Sequence, residues 1–479
     1  MKYYITTPIY YVNDRPHLGH AYTTVAADVL ARWRRSKGEE VFFLTGTDEH
    51  GAKVAQAAKN ANQNPREFCD EKARSFKNAW QRFGIEYSNF IRTTDAAHEA
   101  AVQKFLQALF EAGYICKARY KGLYCQGCEQ YKIPDDLIEG LCPDHQTKPQ
   151  EMEEESYFFK LSKLEKDLEQ KIESDEIKIR PVERKNEVLS FIKSGLKDIS
   201  ISRKNVKWGI PLPFDAEHTA YVWVDAFLNY LTGLGWDGSV GEDFYKLKTK
   251  NQKLDFWPPD LQLMAKDIVR VHATIWLGLL LALKIPPPKN FFVHGFFTLN
   301  DQKMSKSLGN VIWPEELTEK FGADAARFLL LSFTPFGQDG DISWEKMAEK
   351  YNSDLADGLG NLTSRVFNLI EKNFDGKIEA TKSDLDISYL MKDIKIYESL
   401  LTIKEKIEWA NKYIDENKVW ELVKNDKEKG REVLSRLLGA IVAIGEALAP
   451  FMPKISEKIL ARAKAGKIKK GEILFPKIV

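Results

Sequence analysis

Cysteine is scarce in this chain, with five in 479 residues. So few, and an odd number, do not build a disulfide framework. They point to a reducing compartment, the cytoplasm, where thiols pack or bind metal. An excess of one charge is missing as well, since 70 basic residues stand against 69 acidic ones. Bulk charge therefore predicts no nucleic-acid partner, and any basic surface has to be local. No apolar run is long enough to span a bilayer, so no membrane is expected as a partner. The longest candidate, Ile275 to Leu283, reads as a buried helix. The N-terminus lacks a basic segment leading into an apolar one, which argues against a secretory signal. What remains is 44% hydrophobic and 29% charged, an ordinary globular composition. The length calls for two or more domains.

Lys2 to about Gly113 alternates strand-like and helix-like segments. Tyr3-Tyr4-Ile5 reads as a first strand. The stretch Tyr10 to His20 follows, and Val25, Ala26, Val29, Leu30 and Trp33 then recur at helical spacing. His17 and His20 thus fall on the first turn of a helix, where unpaired N–H groups and a partial positive charge suit a phosphate. Glu40 to Leu44 is a second strand, leading into a loop Thr45 to Gly51. Helices are expected from Lys53, from Pro65 and from Asp95 to Ala112. The alternation predicts a parallel sheet covered by helices, with ligands beyond the carboxyl ends of its strands.

Cys125 and Cys128 form a C-x-x-C pair, and Cys142 and His145 a C-x-x-H pair after a short spacer. Three thiolates and one imidazole suit one tetrahedral Zn2+ in a closed, structural site. Cys69 and Cys116 lie outside the pattern and are expected to pack as small apolar groups. Residues 151 to 214 are charged, helical and punctuated by proline. Tyr221 to Val224 reads as a strand and Asp225 to Tyr230 as the start of a helix. Phe291 to Phe297 is a strong strand run, followed by Lys303-Met304-Ser305-Lys306-Ser307. One parallel-sheet domain interrupted by an insert is the simplest account; two separate α/β domains are the alternative. Beyond Glu345 the pattern is helical throughout and predicts a bundle.

Two short motifs carry a resemblance. His17-Leu18-Gly19-His20 and Lys303-Met304-Ser305-Lys306-Ser307 are similar to the two signatures of class I aminoacyl-tRNA synthetases. TTPIYYVNDRPHLGHAYTT, FLTGTDEHG, WGIPLP, YVWVDA, KDI and the cysteine knuckle together resemble the methionyl-tRNA synthetases over nearly the whole chain. The implied fold is α/β: a Rossmann-like parallel-sheet catalytic domain with an inserted zinc-knuckle domain, followed by an all-α helical bundle. The implied boundaries are a catalytic first half at 1–115, an insert at 116–220 with its knuckle at 125–145, and a catalytic second half at 221–320. A linker at 321–348 and an anticodon-binding domain at 349–479 complete the chain.

The resemblance implies two steps, methionyl-adenylate formation from L-methionine and ATP, then transfer to tRNA(Met). Neither needs a protein nucleophile. What the chemistry needs is alignment of the carboxylate, and positive charge where the phosphorus becomes crowded in the first step. His17, Gly19, His20 and Asp267 are then expected on ATP, with Mg2+ accompanying the nucleotide. Lys306, with Lys303 beside it, is expected on the transition state. Asp48 suits the methionine ammonium, and Ile9, Tyr11, Trp223, Ala226, Tyr230 and His272 its side chain. The family usually has Gly where this chain has Ala265. Asn361, Arg365 and Trp420 are expected to read the anticodon. Homocysteine lacks only a methyl, worth about 1–3 kcal/mol, so editing at the synthetic site is expected. No appended dimerisation module is evident, and a monomer is expected.

Overall fold

The computed structural model describes residues 1–125, 130–132, 137–143, 146–303 and 311–478. Its organising element is the strand Lys2–Thr6, whose Tyr4, Ile5 and Thr6 are buried. It pairs in parallel with Glu40–Asp48 on one side, from Lys2 with Glu40 to Thr6 with Leu44. On the other side it meets Leu261–Ala265, with Ile5 opposite Leu261. Asn290–His294 follows, and Lys178–Arg180 closes that edge. Asn89–Arg92 and the two-residue strand Tyr10–Tyr11 both pair with Glu40–Asp48. All seven strands run parallel. The strand order reverses at Lys2–Thr6, because its two neighbours come from opposite halves of the chain. Such a reversal opens a crevice beyond the carboxyl end. The segment from Thr7 to His17 passes that crevice and touches the sheet again at Tyr10–Tyr11.

Three local expectations are corrected. Tyr221 to Val224 is not a strand. The strand is Asp215–Ala220, Tyr221 caps, and Val222–Phe227 is helical. A four-residue apolar run is compatible with a buried strand or a buried helix, and only its neighbours decide. Thr45 to Asp48 is not loop but the buried end of the strand Glu40–Asp48. Its glycine has a packing reason: a Cβ on Gly46 would lie 2.1 Å from the Ile91 carbonyl oxygen of the adjacent strand. Finally, Lys178–Arg180, inside the stretch expected to be inserted, is an edge strand of the main sheet. A short, charged segment carries no strand signal, and such segments suit a sheet edge.

The insert itself contains an antiparallel sheet of Gln130–Lys132, Ile115–Cys125, Gln150–Phe159 and Ile199–Ser200. A smaller sheet joins Phe297–Leu299 to Gln302–Lys303 and Gly340–Ile342. Beyond it lie the helices Asn361–Phe374, Ile396–Glu416, Val419–Asn425, Lys427–Leu448 and Pro453–Ala463. The helical pattern expected throughout this region is interrupted between Ser388–Lys392 and Ile396–Glu416, with Ile394 in the left-handed region at φ 62°. Asp426 starts the helix Lys427–Leu448 by accepting from the Lys429 N–H at 3.0 Å.

The bundle is not a separate bead. One continuous apolar core runs from Ile5, Val29 and Leu30 through Phe328 to Leu355, Leu437 and Ile444. Arg327 sits fully buried at this junction. Its guanidinium pairs with Asp28 of the helix Leu18–Ser36 at 2.7 Å. It also donates to the carbonyls of Phe451 at 2.8 Å and Pro450 at 2.9 Å. Among the described residues no helix is long and apolar enough to cross a membrane.

Candidate active site

His17 is the N-cap of the helix Leu18–Ser36. Its Nδ1 accepts from the Gly19 N–H at 3.1 Å, and its own N–H donates to His20 Nδ1 at 3.2 Å. This is a capping box in which two imidazoles replace the usual hydroxyl and carboxylate. The rings stack with centroids 3.7 Å apart. Because both Nδ1 atoms accept, the neutral rings carry their protons on Nε2, turned away from the backbone. The cap therefore fixes the tautomer and supplies two aimed donors at a positive helix end. No acidic residue sits in the first turn to compete for an anion. Gly19 leaves room for this stack, since a Cβ there would lie 3.0 Å from His17 Cε1. Tyr10, at the crevice, packs its ring 4.7 Å from that of His20.

The described residues that follow the second motif meet the same helix. The Leu18 N–H donates to the Ile312 carbonyl at 3.2 Å. Arg15 lies 3.7 Å over the ring of Trp313. Lys303 is in the strand Gln302–Lys303, opposite Thr298. Lys306 lies outside the described residues. Thr23 Oγ1 and His294 Nε2, 2.7 Å apart, tie the same helix to the end of strand Asn290–His294. Burial pushes His294 down to about 4 and keeps it neutral. Asp267 is exposed in the turn just beyond the strand Leu261–Ala265, at the crevice edge.

The other expected residues gather around the carboxyl ends of the central strands. Tyr11 is in register with Asp48, and the Val12 N–H donates to the Asp48 carbonyl at 3.1 Å. Asp48 is nearly buried, at 9% exposure. Ile9, Tyr11, Trp223 and Ile268 are half-buried apolar groups on one and the same core. Ala226 and Tyr230 are buried in the short helices that follow Trp223. His272 opens a π-helical turn, His272–Trp276, a form often found at functional sites. Burial pushes its pKa down to about 4, so the ring is neutral. Nδ1–H donates to the Ile268 carbonyl at 2.9 Å, which leaves Nε2 to accept from the Tyr230 hydroxyl at 2.8 Å. An oriented neutral imidazole and aromatic walls suit a polarisable, uncharged side chain.

Sequence reasoning passed over the polar scaffold behind these walls. Glu49 is fully buried. Its carboxylate accepts a bidentate pair from Arg92 at 2.7 and 2.9 Å and hydrogen bonds from Thr47 and Thr94. Trp208 Nε1 donates to the Glu49 carbonyl at 2.6 Å. His50 Nδ1 lies 2.6 Å from Asp225 Oδ2, and His98 Nε2 lies 2.7 Å from Asp225 Oδ1. Burial works against a charge on His50, yet the Asp225 carboxylate, helped by Glu99 and Asp48, holds it up at about 10. Asp225 is correspondingly held below its usual value, although burial alone would raise it. The one available signal was the run Thr45 to Gly51 itself, dense in polar groups directly after a buried strand.

Of the four expected zinc ligands, Cys128 and His145 lie outside the described residues. Cys125, at the end of its strand, and Cys142 are both buried. Among the described residues no group of three or more His, Cys, Asp or Glu side chains is arranged so that it could hold a metal ion. Two buried thiols, one of them at a strand end, fit a thiolate site, and a third and fourth ligand would have to come from Cys128 and His145. In the bundle, Arg365 lies 5.8 Å from the ring of Trp420, which is 40% exposed. Arg365 also donates to Asp415 at 2.5 Å. Asn361 is exposed one turn before Arg365 on the helix Asn361–Phe374.

A parallel sheet with its order reversed at the first strand, and a histidine-capped helix at that reversal, is an architecture for activating a substrate on a nucleotide. The family model for tRNA synthetases class I (M) matches residues 3–152 and 145–367 and defines that class. A methionine–tRNA ligase of Caldanaerobacter subterraneus is 41% identical over 99% of this chain and 79% of its own length. That of Thermotoga maritima is 42% identical over 96% of this chain and 75% of its own. Among solved structures, the methionyl-tRNA synthetase of Mycobacterium tuberculosis in complex with methionyl-adenylate superposes with a TM-score of 0.88. It is 35% identical and covers 96% of this chain and 93% of its own. The chain belongs to the methionyl-tRNA synthetases, ATP-dependent ligases that join methionine to tRNA.

Proposed function

We propose that this chain activates L-methionine with ATP to methionyl-adenylate and pyrophosphate, then transfers methionine to tRNA(Met), in the crevice at the end of strand Lys2–Thr6. The observation that carries the reading is the bond from Leu18, inside the histidine cap, to Ile312, five residues after Ser307. It supports the reading by holding the chain that follows the second signature at the helix end that carries the first. In this reading the Nε2–H groups of His17 and His20 donate to the ATP phosphates, which arrive with Mg2+. Gly19 lets the nucleotide approach the backbone, and Asp267 takes the adenosine end. Lys303 and Lys306 neutralise charge as the methionine carboxylate attacks the α-phosphate. Asp48 holds the ammonium group. Ile9, Tyr11, Trp223, Ala226, Tyr230 and His272 enclose the thioether.

Asn361, Arg365 and Trp420 read the anticodon in this proposal. An exposed indole beside a guanidinium is the surface on which an unpaired base stacks. A structural Zn2+ is held by Cys125, Cys128, Cys142 and His145 and fixes the turn geometry of the knuckle. Atomic emission should find one zinc per chain in the wild type and much less in Cys125→Ser. Homocysteine, one methyl short, is rejected by editing at the synthetic site. AMP release with homocysteine and no tRNA tests this, and turnover no faster than with an inert amino acid removes it. The enzyme is taken to act as a cytoplasmic monomer, which sedimentation of the purified chain checks for oligomeric state. The deciding experiment is ATP–pyrophosphate exchange across all amino acids. Exchange with methionine far above the others is expected, and exchange led by another amino acid would overturn the reading.

A further inference from the structure

The His50–Asp225–His98 cluster has no part in the chemistry above, yet it joins the two walls assigned to methionine. His50 stands two residues after Asp48. Asp225 stands between Trp223 and Ala226 on the helix Val222–Phe227. His98, from the helix Ala96–Glu111, takes the second Asp225 oxygen, and its Nδ1 lies 2.7 Å from Thr232 Oγ1. That threonine ends the helix Asn229–Thr232, which carries Tyr230. Asp225 is 1% exposed, His50 3% and His98 fully buried. The Trp208 ring lies 5.6 Å from that of His50, and Glu99 approaches from the rim at 3.5 Å.

Well-packed apolar residues generally stabilise such a place as well as a buried ionic pair does. What an ionic pair with two directed bonds adds is geometry. We propose that His50, Asp225 and His98 form a positioning clamp for the amino acid, fixing the Asp48 strand end against the helix that carries Trp223 and Ala226. The inference rests on the reading that these residues line the methionine site. The clamp touches neither ATP nor the reacting atoms. It sets methionine affinity by holding the ammonium partner and the thioether wall at one spacing.

The test is pyrophosphate exchange with Asp225→Asn, His50→Gln and His98→Gln, each first checked for a cooperative melt. Losing one directed bond in a buried cluster corresponds to about a ten-fold loss of affinity. Asp225→Asn and His50→Gln should raise the methionine KM about ten-fold or more. The ATP KM should stay within about two-fold and kcat should fall less than the methionine KM rises. If Asp225→Asn does not fold, the two histidine variants carry the same comparison. A methionine KM within about two-fold of wild type, or methionine and ATP KM values rising together, overturns the clamp. Asp48→Asn separates the two readings. If it leaves the methionine KM unchanged, the site assignment fails; if it raises that KM while His50→Gln does not, only the clamp fails.

Discussion

Replacing Arg327 by methionine keeps most of the side-chain volume and removes every donor. The wild-type guanidinium, fully buried, serves Asp28 at 2.7 Å and the carbonyls of Phe451 and Pro450. Removing one partner of a buried ion pair costs about 3–5 kcal/mol. Asp28 keeps Arg32 at 2.7 Å and the Glu86 N–H at 2.8 Å, which moves the pair toward the lower end. The two carbonyls, left without donors, add about 1–3 kcal/mol each where water cannot reach them. The expected loss for Arg327→Met is therefore at least about 5 kcal/mol. Equilibrium urea unfolding followed by tryptophan fluorescence reads it, and a change of slope would report that bundle and sheet now unfold separately. Asp28→Asn should cost less in the Arg327→Met background than in the wild type, because one of the two guanidinium partners of Asp28 is already gone. A single-variant loss below about 0.5 kcal/mol, the size of an ordinary surface change, or strict additivity in the double variant, would refute the argument.

Replacing His20 by alanine removes one aimed donor and half of the cap, and should cut the pyrophosphate-exchange kcat by about 10²–10³; a loss under ten-fold would detach His20 from the chemistry. Trp420→Ala should leave exchange intact and lower tRNA charging, whereas equal loss in both assays would make Trp420 a folding residue. Stability should fall on both sides of about pH 6.5, the ordinary histidine value. His50, held up at about 10, contributes stability that is full below 6.5 and is lost as pH rises toward 10. His272 and His294, pushed down to about 4, stay neutral in the folded state while the unfolded chain takes up protons, so stability falls from 6.5 toward 4. The alkaline arm is on the order of 3–5 kcal/mol, and His50→Gln should flatten it in melts from pH 6 to 10. An unchanged alkaline arm in that variant would remove His50 as its source.

Much of the architecture was legible in residues with local causes. Asn64 before Pro65 starts a helix by accepting from the Arg66 N–H at 2.9 Å, and that pairing is visible in two letters. The histidine cap is equally local. What escaped has long-range causes. Tyr221 to Val224 looked like a strand because its apolar run carries no period, and its helical state is set by what surrounds it. Thr45 to Asp48 looked like a loop because a buried strand seldom carries so many polar groups, and these are buried only because partners wait on other elements. Glu49 meets Arg92 43 residues away, and His50 meets Asp225 175 residues away. No spacing rule reaches that far. The short motifs pointed to the candidate site proposed above, while the polar scaffold around Glu49 and Asp225 was invisible until the sheet was assembled.

The central strand has a consequence for how this chain comes into being. During synthesis Lys2–Thr6 emerges before both of its partners, and one of them, Leu261–Ala265, is more than 250 residues behind. At about 5–20 residues per second, that partner follows some ten to fifty seconds later. For that interval the strand that will lie at the middle of the sheet has an open edge with an apolar face beside it. Ile9, Tyr11 and Asp48 are waiting, while Trp223, Tyr230 and His272 have not yet left the ribosome. A nascent chain of this design has to hold half of the proposed pocket in a soluble form, and an open strand edge is where self-association begins. Slow translation through residues 50–260 should lengthen that exposure, and binding of trigger chaperones to stalled chains of that length is where it would be seen.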